Sequence, residues 1–426
     1  MQEAFLHYIW QLQYLNKNDL KTEDGEDVEV FDPGTLNGDA GPDFSSARIR
    51  IAEMEWVGNV EIHANSSNWY DHGHEEDAAY DNVVLHVVWR DDKPVLRRDK
   101  TKIPTIALEN RVDKSLIEKY KKLVESPTSI PCERVFPEVT DIVKFSMLDK
   151  AAMLRLERKS ETATQLAKAS DNDWEGVTYQ LMGRNFGFKL NFEPFQQLTN
   201  SVRRKILLQH ADNLTQIEAL LFGQAGFLDH GIKDDYFKLL TREYKVLSSK
   251  YALENQKISK SLWKFLRLRP ANFPTIRIAQ FSALMYENQN LFSRIVEASS
   301  YDEMVKLFEV KTSDYWHNHY RFGRKTARSL SGMGKDSINN IIINTVVPLL
   351  VAYGKFKDEQ ALVDRALTLL QQIPSEKNRI VKAWEEIGYK SRSALDSQAL
   401  IELNNNFCLK RKCLSCSVGI EILKPN

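Results

Sequence analysis

The sequence predicts an α/β domain at the N-terminus followed by a large all-α region, and three observations predict it. Over the first 112 residues, apolar positions alternate in short runs between turn residues, which is the period of half-buried strands. Beyond them the apolar spacing turns helical and stays so to about residue 400, in segments rich in good helix formers. Charge divides near the same place. Residues 1–100 carry 21 Asp and Glu against 9 Lys and Arg, and the remainder 37 against 49, so −12 faces +12 in a chain of zero formal charge. At 426 residues, more than one core is expected. The predicted division is an α/β domain over 1–112, a Pro-containing junction over 113–140, helical domains over 141–400 and a C-terminal cysteine knuckle over 401–426.

The elements follow in order. Phe5, Leu6, Ile9 and Trp10 form one stripe of a helix over 3–14. Val28 and Val30 lead into Asp32-Pro33-Gly34, a strand ending in a turn. Ala47, Ile49 and Ile51 alternate with Arg48 and Arg50 in a second strand. Trp56 to His63 is a third, and Gly58-Asn59 within it marks a bulge or a close backbone approach. A short helix precedes the apolar run Val83 to Trp89, the fourth strand of a mixed sheet. Helices are predicted over 115–123, 143–167 and 174–181 and onward, with breaks at Pro127, Pro131 and Pro137 and in RLRPANFPTIR (267–277).

Chemistry concentrates in GPDFSSARIRIAEMEWVGNVEIH (41–63). Asp43 stands before one strand, and Glu61-Ile62-His63 ends the next. Glu61 and His63 point one way, Val60 and Ile62 the other. Whether Asp43 joins them depends on register, because a slip of one residue turns it to the opposite face. Converging carboxylates on a strand pair hold a divalent cation, Mg²⁺ or Mn²⁺, which activates water and relieves charge on a phosphodiester. Two solvated surface acids are the bland reading of the same residues.

Pro42-Asp43 followed eighteen residues later by Glu61-Ile62-His63 resembles the PD-(D/E)XK nuclease-like superfamily. The resemblance implies a helix plus a mixed four-stranded sheet, with Asp43 and Glu61 on the metal. His63 occupies the place where that group has a water-orienting lysine. The segments GPDF, GNVEIH, HGH, FGQAGFL, RLRPANFPTIR, INTVVPLL and CLKRKCLSC make the whole chain similar to a bacterial family of unknown function, DUF2851, which implies no activity.

Four of nine histidines, His63, His72, His74 and His86, fall within 24 residues. His72-Gly73-His74 among acids offers ligands to zinc or manganese, or is a surface loop; His86, inside an apolar strand, reads as a hydrogen-bonded core histidine. Cys408-x4-Cys413-x2-Cys416 has knuckle spacing, and Cys132 is the fourth cysteine of the chain. Together they would hold zinc or an iron–sulfur cluster; apart, they are reduced buried thiols.

Interleaved bases and aromatics suit nucleic acid, and Arg321, Arg324, Lys325 and Arg328, with Lys410, Arg411 and Lys412 in the knuckle, are the candidate phosphate contacts. Neither a Walker loop nor a GxGxxG loop occurs, so no nucleotide cofactor is expected. An acid stands early in the chain where a signal peptide carries bases, and no run of about 18 apolar residues occurs, so a cytoplasmic protein without membrane spans is expected. The functional expectation is a metal-dependent nuclease with Asp43, Glu61 and His63 as its catalytic residues. Its alternatives are an inactive scaffold that binds nucleic acid or protein, and a Zn/Mn hydrolase built on the histidines.

Overall fold

The computed structural model describes residues 1–229, 231–327 and 332–425. Contacts divide the chain into two compact units. One joins Met1–Leu148 to Leu403–Asn426, and the other is Asp149–Glu402.

The first unit is α/β. Helix α1 (Glu3–Leu12) buries Phe5, Leu6, Ile9 and Trp10, the predicted stripe. Strands β1 (Val28–Asp32), β2 (Thr35–Leu36), β3 (Phe44–Ile51) and β4 (Met54–Asn65) come next. Helix α2 (Asn68–Asp71), β5 (Val83–Arg90), β6 (Thr105–Ala107) and α3 (Lys114–Val124) follow. The sheet runs β1-β3-β4-β5-β6, with β2 paired to β3. It therefore has six strands and not the predicted four. The two extra strands, Thr35–Leu36 and Thr105–Ala107, are too short for alternation to reveal them and are defined by their pairing to β3 and β5.

β1, β3 and β4 pair antiparallel, whereas β4–β5 and β5–β6 are parallel. The crossover between β4 and β5 contains α2, as a parallel pair requires. At Gly58-Asn59 the register against β5 shifts between Asn59 and Val60. A Cβ on Gly58 would lie 2.4 Å from Val84 Cγ1, so this glycine permits close approach of the crossover as well as the bulge.

One face of the sheet packs Ile49, Val60, Ile62, Leu85 and Val87 against α1 and α3. C-terminal helix residue Leu423 and Cys413 join that core. A small cluster of Trp69, Val83, Val95 and Ile103 forms separately.

The second unit is helical. Helix α4 (Asp141–Ala169) leads into it. Then come α5 (Trp174–Phe186), α6 (Phe192–Ser201), α7 (Arg204–Leu208), α8 (Leu214–Gln224), α9 (Asp235–Tyr251) and α10 (Pro274–Glu287). After α11 (Leu291–Glu297) and α12 (Tyr301–Lys306), a two-stranded hairpin forms, β7 (His319–Arg321) with β8 (Arg324–Lys325). Next are α13 (Lys335–Ile341), α14 (Val347–Lys357), α15 (Gln360–Gln372), α16 (Arg379–Glu386) and α17 (Ala394–Leu403). α5 packs on α6, α8 on α9, α14 on α15, and α10 on α8. From Pro274 to Met285 every residue of α10 is buried, which makes it the central helix. Lys335–Lys357 is long and apolar enough to cross a membrane by length and composition, but 78% of its apolar window is buried. The chain then returns to the first unit through α18 (Ser417–Leu423).

Candidate metal centre

The pleat places the first two residues of the centre. On β4, Val60 and Ile62 enter the apolar core, and Glu61 and His63 project the other way. Glu61 is only 5% exposed and His63 1%. His63 Nδ1 lies 2.8 Å from His86 Nε2 on β5, and His86 is fully buried. That contact orients the His63 ring so that Nε2 faces the centre, the usual task of a second imidazole behind a metal ligand.

Helix α2 places the other two. Its C-terminus closes as a Schellman turn: Gly73 N–H donates to Tyr70 O at 3.1 Å and His74 N–H to Trp69 O at 3.0 Å. Gly73 takes φ +73°, the left-handed geometry that this turn demands. The histidine-glycine-histidine sequence is therefore a helix stop that turns both imidazoles back toward β4. His74 is stacked between rings, with Tyr80 at 3.8 Å and His63 at 5.3 Å between centroids. Asp92, after β5, fixes the start of the segment by accepting from Ser66 Oγ and Ser67 N–H.

The result is convergence of three imidazoles, with one carboxylate oxygen against two of them. His63 Nε2 is 3.1 Å from His72 Nδ1. Glu61 Oε1 is 3.3 Å from His74 Nε2 and 3.5 Å from His63 Nε2. The ligand atoms of His63, His72 and His74 all lie within 4.8 Å of one another. His63 is buried, His74 half-buried and His72 exposed, so the group has one side open to solvent.

Electrostatics suit a cation. Burial first, then the neighbouring imidazoles, push His63 far below its ordinary value and His86 to about 3, so both are neutral near pH 7. Burial pushes Glu61 up; its bond from His74 lowers it and the charge of Asp43 raises it. Burial disfavours the charged form of Glu61, and a divalent ion beside it would favour that form. Three imidazoles with one carboxylate favour Zn²⁺ or Mn²⁺ over Mg²⁺.

Asp43 sits at the edge of this group. β3 pairs Phe44 with Val60, which sets Asp43 beside Glu61. Asp43 N–H donates to Glu61 Oε2 at 3.0 Å, and Asp43 Oδ2 accepts from Ile62 N–H at 3.0 Å. The same Oδ2 is 3.1 Å from His7 Nε2 on α1, without hydrogen-bond alignment. His7 and Tyr80 were not singled out by the sequence: neither has a spacing signal, and each arrives through tertiary packing. His86 is the buried hydrogen-bonded histidine that its apolar strand predicts.

The cysteines lie within the first unit. Cys408, Cys413 and Cys416 are buried and Cys132 half-buried, all as free thiols. Arg411 links their two segments: its guanidinium donates to Cys408 O, Ser126 O and Thr128 O. Burial raises Cys132 to about 12, and the charges of Cys416 and Cys413 add to that rise. Cys408 is raised by burial and then by Cys132.

The basic candidates are dispersed. Arg321 lies over Phe265 and Phe273, at 4.0 and 4.8 Å, in the helical unit. Arg324 and Lys325 are exposed on β8, and Arg328 falls outside the described residues. Lys410 and Lys412 are exposed, with Lys410 bonded to Asn406, while Arg411 is committed to its carbonyls.

Residues 3–379 match the family model described as "Protein of unknown function (DUF2851)", a match that ends before the C-terminal cysteines. No curated protein and no solved structure matches the chain.

Proposed function

Since the chain belongs to the DUF2851 family, whose function is unknown, we propose from the geometry of the site that it is a metal-dependent hydrolase. In this reading His63, His72, His74 and Glu61 hold Zn²⁺ or Mn²⁺, and phosphodiesters of nucleic acid are the substrate class. The convergence of His63, His72 and His74, with Glu61 Oε1 against His63 and His74, carries the proposal. The cation would supply an acidified water and relieve charge on the phosphate. Hydrolysis would join a water oxygen to phosphorus as the bond to the sugar oxygen breaks, the water giving up one proton and the departing oxygen gaining one. Asp43 and His7, each 24% exposed beside the centre, are the groups placed to carry protons. His63, in the position the nuclease-like pattern gives to lysine, acts as a ligand.

The substrate class draws support from the placing of Asp43 and Glu61, which the nuclease-like resemblance puts on the metal: Asp43 precedes β3 and lies beside Glu61 on β4. Cys132, Cys408, Cys413 and Cys416 form the proposed second, structural site for zinc or an iron–sulfur cluster, supported by their burial and by the Arg411 link. Retained thiols also fit a reducing, cytoplasmic setting.

The experiment is metal analysis of the purified protein together with cleavage of single-stranded, duplex and branched DNA and RNA in Zn²⁺, Mn²⁺ or Mg²⁺. Wild type is compared with Glu61→Gln and His74→Ala. Cleavage in Zn²⁺ or Mn²⁺ that is lost in both variants is the expected result. A well-folded, metal-loaded wild type that cleaves nothing in the panel would overturn the phosphodiesterase reading.

A further inference from the structure

The helical unit contains a buried charge that the proposed hydrolase chemistry does not use. Arg277, in the first turn of α10, is 4% exposed. Its guanidinium donates to Gln280 Oε1 at 2.9 Å, Asn272 Oδ1 at 2.6 Å and Ser337 Oγ at 2.8 Å. The plane lies 4.3 Å from the Phe188 ring centroid. Every one of these partners is neutral. Among the described residues no carboxylate pairs with it, and its Nε is buried without a hydrogen-bond partner. Burial alone lowers Arg277 to about 10, with no acid offsetting it. An uncompensated buried cation is costly, and most such charges are paired.

Arg277 also lines a cleft of about 350 Å³. Phe186, Phe188 and Leu268 supply apolar walls, and Asn340 and Lys189 supply polar ones. Pro274, the first residue of α10, is part of the lining, and the cap residue Phe273 makes no side-chain hydrogen bond there. The positive end of the central helix thus adds to the guanidinium. Asp336, exposed on α13, is the one acid in the lining. An apolar pocket with a few converging polar groups is the usual form of a small-molecule site.

We propose that this cleft binds a small organic anion, whose carboxylate or phosphate is taken by Arg277 and whose flat apolar body rests on Phe188 and Leu268. The guanidinium carries the charge that draws either head group, and its unpartnered Nε–H is the donor left to meet it. The site is independent of the metal centre.

The test is calorimetric titration of the full chain in EDTA, which keeps phosphate from reading out at the histidines. The probes are phenyl phosphate, benzoate, inorganic phosphate and benzyl alcohol. Phenyl phosphate or benzoate should bind at least about tenfold tighter than benzyl alcohol, and the tighter of the two identifies the head group. Arg277→Met should weaken binding at least tenfold, and Arg277→Lys less. Asp336→Asn, an exposed change that leaves the core intact, should tighten it about threefold by removing like-charge repulsion. Inorganic phosphate binding as tightly as phenyl phosphate would overturn the apolar half of the site. No binding of either aromatic anion at about 10 mM (a level that detects even a fragment-strength ligand) would overturn the whole proposal. So would affinities unmoved by both Arg277→Met and Asp336→Asn.

Discussion

Gly73 adopts φ +73° with no atom within 4 Å of a would-be Cβ, so space is not what selects glycine there. The constraint is conformational, since an L side chain in left-handed geometry costs about 1 kcal/mol. Gly73→Ala should therefore lower stability by about that amount and shift His74 away from Glu61. Metal content after dialysis should fall well below that of wild type while the protein stays folded. An unchanged metal content would detach the turn from the centre. At this scale the sequence was partly legible. Period-2 alternation on β4 set Glu61 and His63 on one side and Val60 with Ile62 on the other, as found. Asp43 was not decidable, because its place follows from the Phe44–Val60 register and an irregularity between Phe44 and Ala47. His7 gave no signal at all, since its contact with Asp43 joins a helix and a strand 36 positions apart (43 − 7).

At the scale of the element, α8 presents a buried acid. Glu218 is 0% exposed, accepts from Tyr236 OH, and has Ser313 Oγ at 3.1 Å. Burial raises its carboxyl to about 7, against the lowering effect of its hydrogen bonds. The folded value stands above the unfolded one, so the protonated acid favours the fold. That contribution is complete below about pH 4.5, declines as pH rises toward 7 and is gone above it. Thermal unfolding of wild type should accordingly lose stability between pH 5 and 7 relative to Glu218→Gln, by on the order of 3 kcal/mol at most. Parallel pH profiles for the two proteins would show that Glu218 is ionised in the fold. Elements were legible in proportion to their length. α1 and α3 to α5 stood where apolar periodicity put them, give or take a few residues, whereas β2 and β6, two and three residues long, have too few positions to show a period. They exist because β3 and β5 offer them unpaired edges.

Across the whole molecule, a metal held only by the first unit stabilises only that unit. Ligand at a hundredfold excess over its dissociation constant contributes about 2.7 kcal/mol. Calorimetry should resolve two transitions, and chelation should lower one of them by several degrees while leaving the other in place. Loss of both together would mean that the units unfold as one. The charge split near residue 100 led to an expected acidic unit followed by a basic one, whereas contacts join residues 403–425 to the first unit. Pattern alone could not reveal that residues 403–425 return to the first, because nothing local in a chain records which distant segment its carbonyls and thiols will meet; here Arg411 and Cys413 make that connection.

This return has a temporal consequence. During synthesis the helical unit has all its residues before the α/β unit does. Residues 1–148 must wait, with part of their apolar core uncovered, until Cys413 and Leu423 emerge more than 250 positions later (413 − 148 = 265). At about 5–20 residues per second that interval lasts tens of seconds or less. Translation thus orders assembly against the order of the chain: the second unit has all its residues first, and the α/β unit is completed by residues 403–425.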